Sequence, residues 1–79
     1  MNKDEIIKKL FDIINEELGI EPENISLDAN IREDFEADSL DMIDIIMDIE
    51  DELNVEVPNE VLDDLITVND VVEYIAKNK

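Results

Sequence analysis

Ser39 is the residue of this chain best placed for chemistry, as the bearer of an attached group rather than as a nucleophile acting alone. It follows a long connection and opens a predicted helix, directly after Asp38, a good helix cap. The first backbone N–H groups of a helix lack partners, and that end of the helix dipole is positive. A phosphate ester on the Ser39 hydroxyl would therefore be well placed, and would make the chain a phosphoprotein. An Asp-Ser-Leu triplet taken alone is common and weak, and by itself favours an ordinary helix-start serine. The sequence offers no conventional way to activate the hydroxyl. It holds no His and no Cys, so neither a Ser-His-Asp nor a Cys-His site can be built. No thiolate is available for zinc and no disulfide can form. Carboxylates are abundant, but acid–base work needs a cleft that pushes their pKa values apart. An EF-hand loop needs a Gly at its sixth position, and the only Gly, Gly19, falls at a helix end. The expectation is a protein that is not an enzyme and has no metal site of its own.

The elements that must hold Ser39 can be read from hydrophobic spacing. Ile6, Ile7, Leu10, Phe11, Ile13, Ile14 and Leu18 recur at the three-to-four interval of an amphipathic helix. Asn2 can cap its start, with Glu5 three residues on, and Gly19 can end it in the left-handed conformation. Residues 20–37 read as a long connection rich in turn formers: Pro22, Asn24, Ser26, Asp28 and Asn30. Ile20, Ile25, Leu27, Ile31 and Phe35 should pin it to the core. A connection this long in so small a domain is unusual, and such loops are often functional. A second helix is predicted over Ser39–Leu53, with Asp41 three residues after the Asp38 cap and Asn54 closing it. Pro58 opens a short helical segment, Asn59–Leu65, with Val61, Leu62 and Leu65 turned inward. Thr67 caps a last helix, with Asp70 in the box position and Val68, Val71, Val72 and Ile75 on its apolar face. Tyr74 lies near that face. The fold class expected is all-α: a small antiparallel bundle of three longer helices plus one short helix, with a long loop between helices one and two. Residues 1–79 should form one domain.

Charge narrows the partners. Twenty-four acids oppose six bases, for a formal net charge of −18. Nucleic acid and an anionic membrane surface both need clustered Lys and Arg, so neither is expected. A basic protein surface is the natural complement. Between Leu10 and Ala76 the only base is Arg32. Apolar residues make up 44% of the chain and are strongly patterned, which argues against disorder. There is no apolar h-region and no run of membrane-spanning length, so a cytoplasmic location is expected. So much like charge argues for a monomer.

The predicted second helix divides into three arcs at 100° steps. Met42, Ile45, Ile46, Ile49 and Leu53 form the core face. Asp41, Asp44, Asp48, Asp51 and Glu52 form an acidic face. Leu40, Ile43 and Met47 form a further apolar arc on the flank near Ser39. The acids are unfavourable for the helix itself. Asp44 and Asp48 repel at i,i+4 by a few tenths of a kcal/mol. Glu50, Asp51 and Glu52 stand where the dipole disfavours anions by roughly 0.3–1 kcal/mol each. A solvated face would account for the acids alone. The apolar arc beside them suggests a docking surface with a hydrophobic centre and a charged rim.

Four stretches then carry a resemblance: Phe35-Glu-Ala-Asp-Ser-Leu-Asp41, Ile43-Asp-Ile-Ile-Met-Asp-Ile-Glu-Asp-Glu-Leu53, Val57-Pro58 and Thr67-Val-Asn-Asp-Val-Val-Glu-Tyr-Ile75. In register and over nearly the whole chain, they resemble the acyl carrier proteins. The resemblance implies that a phosphopantetheinyl transferase moves a 4′-phosphopantetheine arm from coenzyme A onto Ser39, where its thiol carries acyl groups as thioesters. That fits the absence of Cys, since the cofactor supplies the sulfur. It implies that Asp38 helps hold Mg²⁺ while the transferase acts. It implies that Asp41, Ile43, Asp44, Met47, Glu50 and Asp51 meet partner enzymes, and of these only Glu50 was not already marked by the arcs. The chain departs from the family pattern at four places. Glu36 stands where many members have Gly, and Asp48 where small residues are frequent. Leu62 and Val71 stand where Ala is common, which implies a narrower space for the acyl chain.

The reading favoured by the free-standing length and the acidic helix is a carrier delivering growing fatty acyl chains to basic-surfaced fatty acid synthesis enzymes. A carrier of the same fold for D-alanine, a polyketide or a specialised lipid is the alternative. An acidic interaction bundle with no prosthetic group is the reading from another class, and it gives Ser39 no role.

Overall fold

The computed structural model describes residues 2–78. Its longer helices are α1 (Lys3–Leu18), α3 (Ser39–Leu53) and α4 (Val68–Asn78), with a one-turn helix α2 (Ile31–Asp34) between the first two. Tight 3₁₀ turns occupy Pro22–Asn24 and Asn59–Asp64. No strand is present among the described residues. The all-α bundle expected from the spacing is the fold observed.

The caps follow the chemistry of the sequence. Asn2 Oδ1 accepts from the Glu5 N–H at 2.8 Å, and Gly19 closes α1 at φ 71°. At α4 the capping box is complete: Thr67 Oγ1 accepts from the Asp70 N–H at 3.1 Å, and Asp70 Oδ2 accepts from the Thr67 N–H at 3.0 Å. Such caps typically contribute about 1 kcal/mol.

α1 packs against both α3 and α4. Ile6, Leu10, Ile13 and Ile14 meet Met42, Ile45, Ile46, Ile49 and Leu53 from α3 and Val68, Val71, Val72 and Ile75 from α4, all buried in one core. Each such side chain contributes about 1.5–3 kcal/mol when fully buried. No polar side chain is buried among the described residues.

Two segments differ from expectation. The connection over residues 20–37 is not structureless, because it holds one 3₁₀ turn and α2. Asn30, a turn former in the sequence, caps α2 by accepting from the Glu33 N–H at 3.0 Å. Ile25 and Ile31 are buried, and Ile20, Leu27 and Phe35 are half-buried, so the loop is pinned as its apolar residues imply. A backbone clasp fixes it further. Ile31 N–H donates to Ile66 O, Val68 N–H to Ala29 O and Asn69 N–H to Leu27 O, at 2.9–3.1 Å. The segment after Pro58 is a 3₁₀ turn ending at Asp64, one residue short of the predicted helical stretch. Leu65 is buried, and Val61 and Leu62 are half-buried.

Candidate functional site

Ser39 is the first residue of α3 and is exposed. Asp38 precedes it as the cap, in extended conformation, and forms a complete capping box with Asp41. Asp38 Oδ1 accepts from the Asp41 N–H at 2.9 Å, and Asp41 Oδ2 accepts from the Asp38 N–H at 3.2 Å. These bonds fix the start of α3 and hold the Ser39 hydroxyl at the helix end, clear of the core. The Ser39 and Leu40 N–H groups have no intramolecular partner among the described residues. A bulky ester on Ser39 therefore meets open solvent, two free N–H donors and the positive end of the helix dipole.

The route into this site is tightly turned. Phe35 is half-buried and Ala37 is buried, and between them Glu36 takes φ 55°. That left-handed conformation is free for Gly and disfavoured for Glu. The backbone at Glu36 thus has a glycine-like geometry.

The three arcs of α3 are resolved. The core arc is buried at all five positions. The flank arc is not: Leu40 is 70%, Ile43 43% and Met47 57% exposed. Large apolar side chains left this open in a protein with so few residues form a continuous stripe that starts beside Ser39. Of the acids predicted at the docking face, Asp38, Asp44 and Asp51 are exposed and Asp41 is half-buried. Glu50 is different. It is half-buried, and its Oε2 accepts from the Val57 N–H at 3.0 Å, tying the end of α3 to the following loop. Asp48, read from the sequence as part of the acidic face, is half-buried. It faces Glu17 of α1, and hydrogen bonding to Asp48, which needs Glu17 protonated, raises the Glu17 carboxyl above its ordinary value, with further upward pushes from desolvation and from the charges of Asp48, Asp44 and Glu16.

Sequence reasoning missed one exposed apolar residue. Ile66 is 51% exposed on the loop before α4. Its side chain, with Leu62 and Arg32, borders a shallow depression of about 200 Å³. Its only sequence signal is an Ile outside the inward pattern of Leu65 and Val68. Val71 is buried and fills its place in the core.

Residues 8–75 match the family described as "Phosphopantetheine attachment site". The chain belongs to the acyl carrier protein family. It is 34% identical to the acyl carrier protein of Rubrobacter xylanophilus over 79 residues, covering 100% of this chain and 98% of the relative. It is 42% identical to that of Syntrophobacter fumaroxidans over 71 residues, covering 90% of this chain and 88% of the relative. The solved acyl carrier protein from Enterococcus faecalis superposes with a TM-score of 0.85 at 30% identity, covering both chains fully. The carrier holds acyl groups on phosphopantetheine. The exposed first turn of α3 suits that group, and the chain's lack of Cys agrees with a reactive sulfur supplied by the cofactor. No helix among the described residues is long and apolar enough to cross a membrane.

Proposed function

We propose that residues 1–79 act as one carrier domain that holds growing fatty acyl chains on an arm esterified to Ser39. The observation that carries this is the exposed Ser39 at the first position of α3, joined directly to the unburied Leu40, Ile43 and Met47 stripe. Asp38 has one carboxylate oxygen in the cap and the other, Oδ2, without a partner among the described residues. That free oxygen is available to help hold Mg²⁺ while a phosphopantetheinyl transferase acts. Leu40, Ile43 and Met47 supply the hydrophobic centre of the docking face, and Asp38, Asp41, Asp44 and Asp51 its acidic rim. Glu50 contributes by bracing the far end of α3 as well as by its charge. The partners are basic-surfaced fatty acid synthesis enzymes, met in the cytoplasm by a monomeric carrier. The carrier presents the thioester and its partners supply the catalysis, so it is not itself an enzyme.

The cargo is tested on the arm-bearing protein. Malonyl transfer from malonyl-coenzyme A by a fatty-acid-synthesis transacylase should yield a malonyl thioester, with free coenzyme A leaving. A D-alanine ligase with ATP should load nothing. Efficient D-alanine loading with no malonyl transfer would place the carrier in the alternative pathway.

A further inference from the structure

Ile66 is fixed from both sides. Its N–H donates to Asp70 Oδ2 at 3.1 Å, and its carbonyl accepts from the Ile31 N–H at 3.0 Å. Its side chain is nonetheless 51% exposed, although the buried Leu65 and Val68 stand close by in sequence. The link to Ile31 brings the one-turn α2 alongside, and Arg32, the next residue, borders the same depression as Ile66 and Leu62. Arg32 is the only base between Leu10 and Ala76. Glu33 and Asp63 border the depression too, yet Arg32 forms an ion pair with neither. A single exposed Ile on a surface needs no explanation. Here it stands with a half-buried Leu beside an unpaired guanidinium, on backbone that is tied across the molecule. That combination suits a small group with an apolar body and an anionic end.

The depression holds about 200 Å³, less than the roughly 300–1,000 Å³ of pockets for drug-sized ligands. A group of a few heavy atoms fits it and a long acyl chain does not. It is shallow and open to water, where an Arg–carboxylate pair is weak. A free anion would not stay, because the net charge of −18 repels it. A tethered anion is held far better, since linkage raises its effective concentration to about the millimolar range. Phosphopantetheine is such a tether, and this family carries acyl groups on it. Arg32 and Ser39 are seven residues apart. With α2 helical to Asp34, their Cα atoms are separated by at most about 20 Å. At backbone dimensions, an arm of about 14 bonds plus a short acyl group reaches roughly the same distance.

We infer that Arg32, Leu62 and Ile66 form a subsite for an acyl group that ends in a carboxylate, as malonyl does, when it hangs from the arm on Ser39. This rests on attachment at Ser39. The guanidinium takes the carboxylate, and Leu62 and Ile66 flank the methylene and the thioester. Acetyl lacks the carboxylate, so it leaves the guanidinium unpaired and gains no such hold. Arg32 thereby distinguishes a cargo with an anionic end from an uncharged one of similar size.

A broad-specificity phosphopantetheinyl transferase, given malonyl- or acetyl-coenzyme A and Mg²⁺, places each loaded arm on the protein in one step, and intact mass confirms it. NMR then reads the Arg32 Nε–H and the Ile66 methyl signals. Both should shift in the malonyl form relative to the free-thiol arm, and neither in the acetyl form. The malonyl shifts should shrink as salt screens the contact. Arg32 is exposed, so Arg32→Gln should melt as wild type does while the malonyl shift at Ile66 is lost. Arg32→Lys should keep part of that shift. Equal signals for the malonyl and acetyl arms, or a malonyl shift at Ile66 that survives Arg32→Gln, would overturn the inference and leave the attachment reading standing. A folded, unmodified wild type that gains no arm would overturn the attachment reading, and this inference with it.

Discussion

Glu17 and Asp48 set one carboxyl against another across the seam of α1 and α3, with Asp44 and Glu16 adding negative charge. A hydrogen bond between them needs a proton, and Glu17 holds one more tightly than an ordinary glutamate because Asp48 can accept it. A carboxyl whose folded pKa is raised contributes stability below the ordinary carboxylate range and loses it as pH rises through the raised value. Glu17→Gln keeps a donor for Asp48 and removes the charge. The variant should therefore melt above wild type near neutral pH, with the gap closing as the solution is acidified. Melting curves that stay parallel across that range would show that the pair carries no linkage. At this scale the sequence was partly legible. Asp38, Asp41 and Ser39 declare themselves because capping is local chemistry. The left-handed φ of Glu36 does not, because no Gly or Asn stands at that position to announce it. The sequence places Asp48 on the acidic arc and the resemblance places Glu50 among the partner-meeting positions, and neither shows the neighbour distant in sequence that each one faces: Glu17 for the one, the Val57 N–H for the other.

α3 does two jobs with one sequence. Its five buried residues fasten it to α1, while Leu40, Ile43 and Met47 stay open beside the acids. The element was legible in full, since 15 residues of regular spacing leave little choice of face. α2 was not, because a four-residue helix carries no period and rests on the Asn30 cap and the burial of Ile31. Ile66 escaped for a related reason: a lone exposed Ile on a loop has no pattern to break. The docking face predicts a charge effect that can be read on one helix. Asp44 is exposed and has no hydrogen-bonding role among the described residues, so Asp44→Lys should not lower the melting point and, by relieving repulsion with Asp48 and Glu17, should melt at or slightly above wild type. It should slow association with a basic partner enzyme by roughly three- to tenfold at low salt, and less at high salt. Asp41→Lys should slow it too, but it also breaks the capping box at Asp38, so its melting point should fall. Unaltered association for Asp44→Lys would remove the acidic rim from the docking face.

Across the molecule, one small apolar core supports a surface of net charge −18. Among the described residues a single ion pair forms, Lys3 with Glu73, and it joins α1 to α4 far from Ser39 along the chain. The acids are thus left largely uncompensated, which suits recognition by basic surfaces more than it suits stability. The family of the chain says that phosphopantetheine is carried, and the structure supports Ser39 as the residue that carries it. An intact mass before and after incubation with coenzyme A, Mg²⁺ and a broad-specificity phosphopantetheinyl transferase tests that claim most directly, with Ser39→Ala beside it. Wild type should gain the mass of one arm, and Ser39→Ala should gain none while keeping its helical circular dichroism. A gain that persists in Ser39→Ala, or no gain in folded and unmodified wild type, would contradict the assignment.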